Sequence, residues 1–159
     1  MEFTRRQDWK EMNLLYREFD QLYHGLSAAM GLSDSAFLIL YYLCDSGEGC
    51  LQRDICRACS LSKQTVHSSV RRLEQDGIVV FQRKAGRDQP IFLTGKGKRL
   101  AEEKIMPVMA MENQALEKME ESESRMLLTL TRKYMVILGE MAKKMTENKN
   151  MDSKEGEGR

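Results

Sequence analysis

The chain has 159 residues, of which 42% are hydrophobic and 31% charged, enough for one packed domain or subunit and too few for two ordinary enzyme domains. No run approaches 18 apolar residues and the opening MEFTRRQDWKEM has no signal-like apolar stretch, so neither membrane spanning nor secretion is expected and the cytoplasm is the expected compartment. The net charge of +1 conceals a division: Leu51 to Arg99 hold eleven Lys and Arg against four acids, a balance of +7, and the remainder carries −6.

The first element runs from about Trp9 to Met30. Trp9, Met12, Leu15, Tyr16, Phe19, Leu22, Tyr23 and Leu26 recur at steps of three and four, which is the stripe of an amphipathic helix. Gly31 is a helix stop and Ser33 a cap for a second helix, Asp34 to Cys44, whose apolar residues on nearly every side mark it as central. Asp45 to Gly49 form a turn. A short helix from about Gln52 to Cys59 follows, broken by Ser60-Leu61-Ser62, and Ser62 caps another that ends at Asp76 before Gly77. Ile78–Phe81 and Ile91–Leu93 are β-type runs around the polar tip Ala85–Gln89, a hairpin in which Pro90 suits the start of an edge strand. Past Thr94 the pattern is helical again, with Pro107 at a kink or boundary. Met126, Leu130, Tyr134, Ile137, Leu138, Met141 and Met145 give a long amphipathic helix, and from about Thr146 no apolar face remains, as in a disordered tail.

Helix, tight turn, helix and β-hairpin make up a winged helix-turn-helix. In its second helix Val66, Val70 and Leu73 share a dry face with Ser69 between them. Gln64, Ser68 and Arg71 lie opposite, flanked by Lys63, Thr65, His67 and Arg72. Short hydroxyls, an amide, an imidazole and guanidinium groups reach base edges when such a helix lies in a major groove. The helix N-terminus at Ser62 suits a phosphate. On the wing, Arg83 and Lys84 are placed for phosphates and Arg87 for a minor groove. Double-stranded DNA is therefore the expected partner, against the plainer alternative that these charges only face water.

The stretch from Gly49 to Leu100 resembles the MarR family of bacterial winged-helix regulators. The residues that carry the likeness are Leu61, Ser62, Thr65 and Val66; Arg72, Leu73, Glu74, Gly77 and Val79; Arg87; and Leu93, Thr94 and Gly97. A looser likeness extends from about Trp9 to Met145. Ala85 stands where the family commonly has an Asp that braces the wing arginine, with Asp88 on the other side. The resemblance implies a mostly α fold with a small β-hairpin wing, divided into an N-terminal dimerisation helix (1–31), a winged domain (32–99), C-terminal dimerisation helices (100–146) and a tail (147–159). It also implies a homodimeric transcriptional regulator, a repressor by expectation, on a palindromic operator. Apolar surface on the terminal helices (Trp9, Phe19, Tyr23; Met126, Tyr134, Ile137, Met141) exceeds what a fifty-residue winged domain covers, which also favours a dimer. By resemblance a small-molecule effector, of unknown identity, binds between the dimerisation helices and the winged domain. Its candidate lining is Tyr16, Tyr23, His24, Phe37 and Tyr41, with plain core packing as the alternative for each.

Cys44, Cys50, Cys56 and Cys59 are spaced C-x5-C-x5-C-x2-C. The second close pair of a zinc site is missing, and core packing is the simplest expectation; a thiol- or metal-responsive sensor is the alternative. No Gly-rich phosphate loop, paired catalytic carboxylates or HExxH occurs, so neither an enzyme nor a bound cofactor is expected.

Overall fold

The structure, a computed structural model, describes residues 6–47, 49–82 and 89–156, with side chains to residue 147. It divides into two compact units, Met1–Ala110 and Met111–Arg159.

In the first unit the elements are α1 (Gln7–Ala29), α2 (Asp34–Asp45), α3 (Gln52–Ala58), α4 (Lys63–Gln75), β1 (Val79–Phe81), β2 (Ile91–Leu93) and α5 (Gly95–Leu100). A π-helical turn (Ala101–Ile105) then leads into α6 (Met106–Glu117). This is the winged-helix order, mostly α with one small antiparallel pair. The core centres on α2, whose Phe37, Ile39, Leu40 and Leu43 are buried with Ile55 of α3, Val66, Val70 and Leu73 of α4, and Ile105 and Val108 beyond the wing. Each such side chain contributes about 1.5–3 kcal/mol on burial, so the near absence of polar positions in α2 is what places it in the middle.

One device ends three helices. After α1 the N–H of Gly31 bonds the carbonyl of Ala28 at 3.0 Å and that of Leu32 bonds Ser27 at 2.9 Å; after α4, Gly77 bonds Glu74 at 2.9 Å and Ile78 bonds Leu73 at 2.8 Å. Both glycines adopt φ +69°, which this closure requires and which costs them no Cβ clash. After α3 the position falls to Ser60, at φ +52°, with Leu61 N–H on the carbonyl of Cys56 at 3.2 Å. A side chain in that region carries strain of about 1 kcal/mol.

β1 and β2 pair antiparallel, Val79 with Leu93, Val80 with Phe92 and Phe81 with Ile91. Among the described residues the sheet has these two strands, so β2 is an edge strand, as expected behind Pro90. Pro90 stands just before it, its carbonyl accepting from Gln82 N–H at 2.9 Å. At the start of β2, Ile91 also makes one isolated bridge to Cys50, giving its N–H to the Cys50 carbonyl at 2.8 Å.

The motif Leu93-Thr94-x-x-Gly97 has a mechanical reason. Thr94 Oγ1 accepts from Gly97 N–H at 3.0 Å, capping α5, and donates to the carbonyl of Gly77 at 2.6 Å. Gly97 lies so close to β1 that an added Cβ would stand 2.1 Å from the Ile78 carbonyl oxygen. Pro107 follows directly on the π-helical turn, in which Met106 N–H reaches back to Ala101. The widened turn accommodates a residue with no N–H and a bulky ring, and the helical path continues without a break.

In the second unit α7 spans Glu121–Gly156. It passes Thr146, where the sequence loses its apolar face and a tail is expected to begin. Lys143 pairs with Glu147 at 3.8 Å one turn on, and the Glu, Lys and Met residues beyond are good helix formers. Met126, Leu130, Ile137, Leu138, Met141 and Met145 are all exposed on it, with Tyr134 half-buried. Among the described residues no single helix is long and apolar enough to cross a membrane; α1 and α2 pass that test only as a pair bent by 91°, and α2 spends its apolar residues on the core.

Candidate nucleic-acid interface

The local sequence builds α4 with one face committed. Ser62, in extended conformation, accepts from Thr65 N–H at 3.0 Å, an N-cap worth about 1 kcal/mol. Val66 and Val70 are fully buried and Leu73 nearly so. Ser69 gives the dry face its one polar contact, Ser69 Oγ to Ser35 Oγ of α2 at 2.8 Å, which fixes the rotation of α4 on the domain. Ser62, Lys63, Gln64, His67, Ser68, Arg71 and Arg72 are then left exposed.

Not all of them are equally free. Thr65 is half-buried and its hydroxyl lies 2.8 Å from Ser62 Oγ, so it belongs to the cap. Ser68 Oγ donates to the Thr65 carbonyl at 3.1 Å. Arg71 reaches Glu74 at 2.7 Å and lies over the Phe81 ring, 5.5 Å from its centre, which draws the guanidinium toward the wing strand. Arg72 borders a separate hollow with Ser33, Ser68 and Asp76. Lys63, Gln64 and His67 instead share a hollow of about 460 Å³ with Gln52, Arg53 and Cys56 of α3. Gln52 and Arg53 are thus additional polar groups on this face. The available signal for them in the sequence is their place at the start of a helix adjoining the turn. Arg83, Lys84 and Arg87, with Ala85 and Asp88, lie outside the described residues.

A third hollow, of about 400 Å³, lies between α1 and α2 and is lined by Phe19, Asp20, Tyr23, His24, Asp34, Phe37 and Leu38. Tyr23, His24 and Phe37 of the expected effector set line it. Tyr41 stands behind, its ring 6.1 Å from Phe37, and Tyr16 is exposed and not part of the lining. Tyr16 stands apart because the α1 stripe divides: Tyr23 and Leu26 pack on the core, while Leu15, Tyr16, Phe19 and Leu22 project from it. Asp34 accepts from the buried Ser27 hydroxyl and lies 2.9 Å from His24 Nδ1. Those two contacts, Ser27 first, hold its carboxyl below the usual range.

The order of elements, the capped α4 and its exposed polar face can now be set beside known proteins. Residues 30–88 match the model of the MarR family. This segment belongs to the MarR family. No curated protein sequence matches the chain significantly. Among solved structures it is similar to a MarR family regulator from Neisseria meningitidis, with 19% identity, 90% of this chain and 99% of that one covered, and a TM-score of 0.74. It is also similar to the MepR–DNA complex of S. aureus (22% identity, 86% and 99% covered, TM-score 0.66) and to Staphylococcus aureus MarR with salicylate and kanamycin (14%, 84% and 91%, 0.66). At these identities the likeness establishes the winged-helix fold.

Within the MarR segment the cysteines are part of the packing. Cys50 is buried, its Sγ 2.9 Å from Ser46 Oγ, and Cys59 Sγ donates to the Leu38 carbonyl at 3.6 Å. Cys44, Cys56 and Cys59 are half-buried against the core. Burial raises the thiols of Cys44 and Cys59, and Cys56 adds to the shift of Cys59, which keeps both in the less reactive protonated form at neutral pH. Among the described residues no three His, Cys, Asp or Glu gather as metal ligands would.

Proposed function

We propose that this protein is a transcriptional regulator that binds double-stranded DNA as a homodimer, with α4 in the major groove and the wing on the flanking backbone. One observation carries the reading: α4 is rotated by its buried valines and the Ser69–Ser35 contact so that Lys63, Gln64, His67 and Ser68 face outward together, beside Arg53. An amide, a hydroxyl, an imidazole and two cations, with no carboxylate on α4 itself before Glu74, fit base edges and phosphates together. The apolar, exposed surface of α7 and of the N-terminal half of α1 supports dimerisation, with 1–31 and 100–146 as its helices and 32–99 as the reading domain. Two copies would present two α4 helices to a palindrome, and repression follows if the operator overlaps a promoter. The hollow between α1 and α2 is the effector site of this reading. Such a protein works in the cytoplasm, with no catalytic step of its own.

Gel-shift titration with palindromic duplexes from the gene's own upstream region tests it. Binding should fall steeply with salt, weaken on Lys63→Ala or Arg87→Ala, and change its preferred sequence on Gln64→Ala. No salt-sensitive binding to any duplex at low ionic strength overturns the proposal.

A further inference from the structure

The hollow between α1 and α2 joins an aromatic floor to a negatively charged rim. Phe19 and Tyr23 lie 4.8 Å apart between ring centres and Tyr23 and Phe37 6.3 Å, at tilted angles, and all three residues line the hollow. Asp20 and Asp34 border it, and among the described residues no Lys or Arg lines it. Arg17, a cation one turn before Asp20 on α1, gives its Nε to the carbonyl of Asn13 at 3.4 Å, further back along the helix. Asp34 is engaged by Ser27 and His24, whereas Asp20 enters no ion pair among the described residues. His24 is the remaining titratable group on the rim besides the Tyr23 phenol.

From this charge and shape we infer that the hollow selects an organic cation, an aromatic or alkyl ammonium, over the carboxylates of similar size. The inference rests on reading the hollow as the effector site and adds the chemical class of its occupant. Ring faces attract an ammonium through their quadrupole, and more strongly where water is thin. The Asp20 carboxylate, in no ion pair among the described residues and lining the same volume, adds Coulombic attraction and would repel an anion. About 400 Å³ admits one benzyl-sized group with its ammonium head toward Asp20.

Calorimetric titration of the full-length protein, in the assembly it adopts in solution, with benzyltrimethylammonium and with benzoate decides the matter. The cation should bind at least tenfold more tightly. Asp20→Asn, an exposed change on α1 that leaves the core intact, should weaken the cation about fivefold and narrow the preference, and Phe19→Ala should weaken the cation by a similar factor. Benzoate bound as tightly as the cation, and weakened by Phe19→Ala, overturns the charge selectivity while leaving the hollow an effector site. Cation binding indifferent to both substitutions overturns the assignment to this hollow. Neither probe bound overturns the selectivity and the effector site together.

Discussion

α4 and α7 are both amphipathic helices, and they dispose of their apolar residues in opposite ways. α4 has three large ones, Val66, Val70 and Leu73, and all three are buried within its own unit. α7 carries Met126, Leu127, Leu128, Leu130, Met135, Val136, Ile137, Leu138, Met141 and Met145, each more than 40% exposed. The first helix is held by one chain and keeps its polar face for a ligand of a different kind. The second has far more apolar surface than its own unit covers, a state that soluble helices resolve by packing on another copy. The contrast explains why a chain with a net charge of only +1 suits a polyanion: cations gather where the core is complete, and the apolar excess gathers where it is not.

The contrast can be broken from either side. The largest effect is expected from Gly97→Ala, which sets a methyl against the Ile78 carbonyl and should cost about 3 kcal/mol, seen as a loss in chemical denaturation at any protein concentration. Met141→Asp acts on the other side. It should leave far-UV circular dichroism unchanged while raising the dissociation constant of the proposed dimer about a hundredfold in sedimentation equilibrium; an unchanged assembly would remove α7 from the proposed interface. Ser60→Gly, which releases the left-handed strain at the end of α3, should stabilise the winged unit by about 0.5–1 kcal/mol in the same denaturation assay.

The smallest effect is a pH dependence. The Asp34 carboxyl is depressed in the folded chain, so the stability it contributes is fully present above the unfolded carboxylate value of about 3.9 and disappears as pH falls through the lower folded value. The difference between the protein and Asp34→Asn should therefore be constant near neutrality and close below about pH 4. A gap that persists at pH 2.5 would show that shape, not charge, is what Ser27 and His24 hold.

Much of the reading unit was legible in the order of residues. Ser33 and Ser62 cap, Gly31 and Gly77 terminate, and the step of Val66, Val70 and Leu73 fixes the outward face of α4; all of these act over one or two helical turns, where spacing alone determines contact. Pro90 marked the start of the edge strand β2, whereas the isolated bridge from Ile91 to Cys50 joins residues far apart in the chain and left no local signal. Tyr16 fell on the right stripe yet outside the hollow, since periodicity says which side of α1 is apolar and not where α2 stops covering it. Asp20, Asp34 and Arg53 read as ordinary surface charges until the packing of α1 on α2 and of α3 on α4 gave them neighbours.

The sequence by itself therefore determined the helices, their caps, the polar face of α4 and the unspent apolar stripe of α7, because backbone closure and helical periodicity are short-range. Only the tertiary structure decided which aromatic rings enclose a volume, which carboxylates border it, and which arginine is drawn away to a ring. Those are questions of distance between elements far apart in the chain, and burial of a shared core, not local spacing, sets that distance.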